Sequence, residues 1–401
     1  MDVKKNAAQK QKIPNIAIIF TIITSKILSI LNDLFKADPK KSQVPIFFKN
    51  SFIVCNEYRN ITILPPMKVS ILGTGGWGLA LGKILHENGH NLEFWTPSLT
   101  EAELLAKERE YKDKLPGIEL PTEFKYSTEM FGVIKDSDML VLTVPSQFME
   151  NVAKQLGECP APEKIPIVVN ATKGISEHSL KRMSEIILSY VQWLSEEEIA
   201  VLSGPTHAEE IAREVYSAIV AASKNEVCAK IVQGTFSNKT LRVYTSQDVV
   251  GVELCGSIKN VIAIAGGIID GLGIGVGDNT KAALITRGQA EICRLGEVLG
   301  ANPRTFSGLA GIGDLIVTCM SHHSRNRFVG EQIGKGKTLN EILAHIKMVA
   351  EGVPTARSTY ALAKKVGVEM PIVNAVYEVL FEQKDPRTAI EELMTRELKS
   401  E

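Results

Sequence analysis

Val69-Ser70-Ile71-Leu72-Gly73-Thr74-Gly75-Gly76-Trp77-Gly78 carries an apolar, strand-like segment straight into G-x-G-x-x-G and on into apolar residues at helical spacing. That order predicts a strand, a tight turn and a helix start. Gly73 permits the turn, Gly75 lets backbone approach phosphates, and Gly78 lets the helix lie close to the sheet. The helix amino end then offers unpaired amides to a pyrophosphate. The plainer alternative is a glycine turn in an unrelated α/β sheet. The strand before, the helix after and a second strand at the right distance favour dinucleotide binding.

Outward from this turn the pattern is regular. Lys68 to Leu72 is expected as a first strand, Gly76 to Glu87 as a helix, and Asn91 to Trp95 as a second strand after Asn88-Gly89. Further strands are expected over Asp138 to Val144, Ile165 to Asn170, Ala200 to Leu202 and Ala218 to Ala222. Alternation of strands with helical segments implies a mainly parallel sheet covered on both faces. Beyond Glu253 helical spacing takes over, in Gly256 to Ala265, Lys281 to Leu299 and Val353 to Val366, with Asn279 a candidate cap for the second. The fold class is therefore an α/β doubly wound, Rossmann-like cofactor domain followed by an all-α substrate domain. The divisions are expected at 1–66, 67–255 and 256–401, with the boundary in the window 249–256.

With 401 residues, 44% of them hydrophobic, the chain has material for more than one core. A formal charge of −1 gives no general attraction to nucleic acid or anionic membranes. Residues 1–66 differ, with ten Lys and Arg against four Asp and Glu, so the remainder is net negative. Their apolar run, Ile13 to Leu31, is interrupted by Pro14, Asn15 and Lys26. It is read as part of a poorly ordered appendage rather than a membrane helix or cleaved signal, and the compact protein is expected to start at Met67. Six scattered cysteines without a C-x-x-C pair suggest reduced thiols and a cytoplasmic protein. Targeting or membrane association through residues 1–66 stays open. Cys319, His322 and His323 lack a second ligand set, so no metal is expected.

The cofactor type stays open at this level. An acid for the ribose hydroxyl of NAD belongs at the end of the second strand. Glu93 has the count but lies inside the strand, and Thr96, Pro97 and Ser98 follow it; no local Arg suggests NADP either. Gly334-Lys335-Gly336-Lys337-Thr338 is not a phosphate loop, because residue 331 is Glu and no strand precedes it. It is read as a turn before a helix starting near Leu339.

Candidate chemistry is spread along the chain. Lys173 follows a strand end, where α/β sites gather. Lys259-Asn260 stands in an otherwise apolar helix, among Ile258, Val261 and Ile262. Gly311-Ile312-Gly313-Asp314 brings a carboxylate, and Ser324-Arg325-Asn326 a guanidinium suited to a phosphate or carboxylate. Taken singly, the lysines read as surface side chains, Asp314 as a cap and Arg325 as a solvated charge.

Together, Val243–Ser246, Gly251–Ala263, Gly308–Leu315 and Ser324–Arg327, with Gly73–Gly78, Ala171–Gly174 and Ser203–Thr206 in the same order, resemble bacterial-type NAD(P)-dependent glycerol-3-phosphate dehydrogenases. The resemblance spans about residues 67–395. It implies interconversion of dihydroxyacetone phosphate and sn-glycerol 3-phosphate, for phospholipid synthesis, by hydride transfer with NAD or NADP. It implies Lys259 as proton acceptor in alcohol oxidation, acting with Lys173 and Asp314. Gly204, Thr206, Asn260, Thr318, Ser324, Arg325 and Asn326 would surround the substrate. Gly73, Gly75, Gly76, Trp77, Gly78, Thr96, Lys173, Ala208, Arg325, Val349 and Glu351 would border the cofactor. Thr96 stands where the family often has a basic residue or His. A homodimer is expected as the assembly, with no nucleic acid and no stable membrane insertion. The competing readings are a related dehydrogenase acting on a hydroxy acid or nucleotide-sugar alcohol, and a nucleotide sensor without chemistry.

Overall fold

The computed structural model describes residues 43–48, 51–56 and 61–63 as backbone, then 65–398 except 274, 347 and 348, with residue 400. Two units are distinct, residues 1–63 and 64–401. In the first, β1 (Gln43–Phe48), β2 (Ser51–Asn56) and β3 (Ile61–Ile63) form an antiparallel sheet. The sequence reading anticipated no strand there, and its apolar run over 13–31 lies outside the described residues.

The second unit is built on an eight-stranded sheet. Its strands are β4 (Lys68–Leu72), β5 (Asn91–Trp95), β6 (Lys125–Ser127), β7 (Met139–Leu142), β8 (Ile167–Asn170), β9 (Ile199–Ser203), β10 (Ser217–Ala222) and β11 (Leu241–Ser246), in the order 11-10-9-8-7-4-5-6. Strands β4 to β9 pair in parallel, whereas β10 is antiparallel to β9 and β11 is parallel to β10. The sheet is thus mixed. Edge strands β6 and β11 escape the sequence reading because one has three residues and the other places Arg242 and Tyr244 on its exposed side.

Helices α1 (Gly76–Glu87), α2 (Leu99–Glu108), α3 (Met130–Ile134), α4 (Met149–Glu158), α5 (Met183–Tyr190), α6 (Ala208–Ala212) and α7 (Glu226–Phe236) accompany these strands. One apolar core joins Leu79, Phe94 and Phe236, and another joins Leu142, Leu156 and Ile187. From β4 the chain goes outward to β5 and β6, then returns to β7 on the other side of β4. That reversal opens a crevice at the carboxyl ends of β4 and β7, where α/β proteins bind ligands.

Helix α8 (Val249–Leu272) begins two residues after β11, capped by Asp248, whose carboxylate accepts from the Gly251 amide at 2.9 Å. It runs unbroken through 255 and 256. Around it stand α9 (Asp278–Val298), α10 (Pro303–Phe306), α11 (Asp314–Met320), α12 (Arg325–Gly334), α13 (Leu339–His345), α14 (Gly352–Val366), α15 (Pro371–Phe381) and α16 (Pro386–Met394). Among the described residues, only α8 is long and apolar enough to cross a membrane; 94% of its most apolar window is buried within the protein, so it is a core helix. Asn279 does not cap α9. Gly277 occupies that place, and the Thr280 hydroxyl accepts its amide hydrogen at 3.3 Å. The helix near Leu339 starts as expected, capped by Thr338.

Glycines set how closely α8 and α12 approach. A Cβ added at Gly267 would lie 1.9 Å from the Arg327 carbonyl oxygen, and one at Gly330 would lie 1.9 Å from that of Ile264. Gly271 and Gly334 meet the facing carbonyls of Glu331 and Ile268 at 2.2 and 2.4 Å. The two backbones therefore touch along this seam.

Candidate active site

The crevice deepens into a cleft of about 510 Å³ between the glycine turn and the helical half. Gly73 has φ +117°, in the range that glycine alone adopts readily. A Cβ at Gly78 would stand 2.4 Å from the Gly73 carbonyl oxygen and 2.6 Å from Thr143 Oγ1, so α1 can press against the turn only with glycine there. In front of Gly75 there is open space, and α1 has no side-chain cap. Its first amides are left for a ligand. The buried indole Nε1 of Trp77, which lines the cleft, also has no hydrogen-bond partner. A bare amide terminus, a backbone that nothing shields and a spare buried donor fit a dinucleotide pyrophosphate.

At the other wall, Lys259 projects from α8 and is 5% exposed. Its Nζ donates to Asp314 Oδ1 at 2.5 Å and Thr318 Oγ1 at 2.6 Å. The Thr318 hydroxyl gives its own hydrogen to the Asp314 carbonyl, one turn back in α11, so its oxygen is free to accept from the amine. Lys173 Nζ, arriving from beyond β8, donates to Asp314 Oδ2 at 2.8 Å and to the Gly204 carbonyl at 3.2 Å. One fully buried carboxylate thus holds two ammonium groups 141 and 55 residues away in sequence. Burial is the main force lowering the Lys259 pKa to about 8; Asp314 opposes it and the charge of Lys173 assists it.

Local backbone explains the convergence. A Cβ at Gly311 would come within 2.1 Å of the Phe306 carbonyl, so glycine is required where the chain doubles into α11 and presents Asp314. A Cβ at Gly256 would lie 2.5 Å from Ser203 Oγ and 3.5 Å from Lys173 Cγ; its absence lets the β9 end and the lysine stem reach α8 one turn before Lys259. Buried Glu253 locks the same approach, accepting from Asn170 Nδ2 at 3.2 Å, Ser184 N at 2.9 Å and Arg182 Nη1 at 2.7 Å.

The amino end of α12 also faces the cleft. Ser324 caps it by accepting from the Arg327 amide at 3.2 Å, and exposed Arg325 donates to the Val349 carbonyl at 2.9 Å. Arg327 turns away to Asp270, at 2.5 Å. Asn326 Nδ2 donates to Asn260 Oδ1 at 2.9 Å and its oxygen accepts from Gly352 N at 2.8 Å, tying α12 to α8 and α14. The Thr206 hydroxyl donates to the Gly204 carbonyl at 3.1 Å, and Ala208 opens α6 beside Gly76. Glu351 accepts from the amide of Ser146 at 3.1 Å and from its hydroxyl. Burial raises the Glu351 carboxyl above its usual value, against the pull of those bonds.

Of the residues singled out from sequence, all line this one cleft except Gly78, Gly204 and Asp314, which sit just behind its wall. Thr96 is there too, at the end of β5. The sequence reading missed Glu101 and Lys114, which line the cleft beside it. Ser98-x-x-Glu101 is also a capping signature, so sequence alone gives that carboxylate a use other than the cleft. Among the described residues no group of three or more His, Cys, Asp or Glu could hold a metal.

Similarity to known proteins extends over both halves of this unit. Residues 68–229 match the family described as NAD-dependent glycerol-3-phosphate dehydrogenase N-terminus, and residues 248–391 match its C-terminus counterpart. The chain is 46% identical over 335 residues to glycerol-3-phosphate dehydrogenase [NAD(P)+] of Chlorobium limicola, covering 84% of this chain and 99% of that one. It is 47% identical to the Agathobacter rectalis protein of the same name, covering 83% and 97%. The crystal structure of glycerol-3-phosphate dehydrogenase from Coxiella burnetii superposes with a TM-score of 0.78 at 33% identity, covering 82% of this chain and 99% of that one.

Proposed function

Because the chain belongs to the NAD-dependent glycerol-3-phosphate dehydrogenase family and so interconverts dihydroxyacetone phosphate and sn-glycerol 3-phosphate with NAD(P)(H), we propose that Lys259 is its acid and base and Arg325 its phosphate anchor. The observation that carries this is the Lys173–Asp314–Lys259 bridge, set in the cleft between an uncapped glycine turn and the amino end of α12. When bound, the nicotinamide supplies or accepts the hydride. In ketone reduction the Lys259 ammonium stabilises the growing alkoxide and gives it a proton; in oxidation the neutral amine takes the hydroxyl proton. Asp314 holds the amine in place, and Lys173 adds the nearby charge that helps make it a base at mild pH.

Gly73, Gly75, Gly76, Trp77 and Gly78 form the cradle for the pyrophosphate, with Thr96, Ala208, Val349 and Glu351 bordering the rest of the cofactor. Thr206, Asn260, Thr318, Ser324 and Asn326 shape the substrate end, and the Gly204 carbonyl steadies Lys173. Arg325 and the α12 amides receive the phosphate, which stays anionic throughout the reaction. Arg325→Ala is therefore expected to raise KM for dihydroxyacetone phosphate about 100-fold, the value of a charge-assisted contact, with a much smaller change in kcat. Initial-rate kinetics checks this. An unchanged KM would remove the anchor.

We place the division between the cofactor and substrate halves at Gln247–Asp248, where β11 gives way to α8. The five described cysteines are all unpaired, in keeping with a reducing compartment, and we assign the enzyme to the cytoplasm. Ile316 and Met320, one turn apart on α11, and Phe328 on α12 expose apolar surface that suits a homodimer. Sedimentation equilibrium is expected to give twice the 43.9 kDa chain mass; a monomer at assay concentration would refute the dimer.

A further inference from the structure

The far end of the cleft, beyond β5, holds a carboxylate and an ammonium already joined. Glu101 Oε1 accepts from Lys114 Nζ at 2.7 Å, and its Oε2 accepts from Thr96 Oγ1 at 3.1 Å. Both charged groups line the cleft, and Lys114 also lies 4.5 Å from the centre of the Tyr111 ring. The segment bearing Lys114 is seated on the glycine turn, since a Cβ at Gly76 would stand 2.4 Å from the Lys114 carbonyl oxygen. Burial opposes ionisation of Glu101, yet Lys114 holds its carboxyl below the ordinary value, so it is anionic at neutral pH.

We infer that the Glu101–Lys114 pair, positioned by Thr96, selects the unphosphorylated dinucleotide, NAD(H), over NADP(H). The inference rests on the cleft being the dinucleotide site proposed above. An adenosine ribose with free 2' and 3' hydroxyls can donate to Glu101 while the Lys114 pair stays intact. A 2'-phosphate brings about two negative charges beside that carboxylate. The other cationic side chains lining the cleft among the described residues, apart from its histidines, are Lys173, Lys259 and Arg325. These belong to the substrate end. Lys114 could meet the phosphate only by dividing its one charge between two anions, or by leaving Glu101 half-buried and without its cation next to a second anion. Discrimination here comes from repulsion as much as attraction.

Equilibrium titration of the full chain with NADH and with NADPH, followed by quenching of tryptophan fluorescence, tests this without turnover. The wild type is expected to bind NADH at least about tenfold tighter than NADPH, the scale of one unfavourable charge contact. In Glu101→Gln the ratio is expected to fall to about one or to invert, chiefly through tighter NADPH binding to the freed Lys114. Lys114→Met is expected to weaken NADPH binding further. Wild-type binding of NADPH as tight as NADH, or an equal loss of both in Glu101→Gln, would overturn the selectivity alone. Failure of the wild type to bind either dinucleotide would overturn the cleft assignment and the selectivity together.

Discussion

Lys259→Ala is expected to lower kcat about 10³- to 10⁴-fold in both directions while leaving dinucleotide affinity nearly unchanged. That is a rise in the barrier of roughly 4 to 5 kcal/mol. The size follows from two losses at once: the proton donor or acceptor, and the cation facing the developing alkoxide. The wild-type pH profile should carry the same group. With the Lys259 pKa lowered to about 8, the ammonium predominates below that pH and serves ketone reduction, whereas the free amine predominates above it and serves alcohol oxidation. Oxidation kcat/KM should therefore rise through about pH 8, and reduction kcat/KM should fall there. In the variant both limbs should vanish. Stopped-flow measurement of reduced cofactor across pH decides the matter, and undiminished turnover without Lys259 would sink its role.

Gly330→Ala is expected to cost roughly 3 kcal/mol or more of stability, and with it most of the activity at assay temperature. Helix propensity alone favours alanine by about 1 kcal/mol. Sterics win, because the new methyl would sit 1.9 Å from the Ile264 carbonyl oxygen and cannot rotate away. Relief requires α12 to move off α8, shifting Arg325 relative to Lys259 and breaking the Asn326–Asn260 bond. Gly336→Ala, where a Cβ meets nothing within 4 Å but φ is +90°, is the contrasting control, expected to cost only about 1 kcal/mol of backbone strain. Urea denaturation of both variants measures the difference. Equal stabilities would show that the seam can spread.

The glycine turn and the strands flanking it were legible because their signals are local. Val69 to Gly78 contains its own strand, turn and helix start, and Phe94 and Leu142 fall in apolar runs. The helical half was legible as a type, although Gly256 to Ala265 was less than half of α8: Gly267 and Gly271 lie beyond that stretch, and only packing shows that they are where α12 makes contact. Direction along the sheet was not legible, since nothing within Ser217–Ala222 states that its neighbour runs the other way. At the site, Lys259 was conspicuous as a charge among isoleucines. The meeting of Lys173, Lys259 and Asp314 depends on contacts across 55 to 141 residues, which single-sequence periodicity does not encode. Glu101 was hidden for a different reason: its position also satisfies a helix-start pattern, and only packing shows which use the side chain makes.

Helix α8 has the length and apolarity of a bilayer span, and the helices packed along most of it, α9 to α12, α14 and α15, lie later in the chain. During synthesis the ribosome therefore releases a greasy rod about a hundred residues before α15, one of the helices that cover it, begins. Nascent chains stopped anywhere short of Gly352 would carry it partly bare, which makes α8 the segment a cellular chaperone must shelter first.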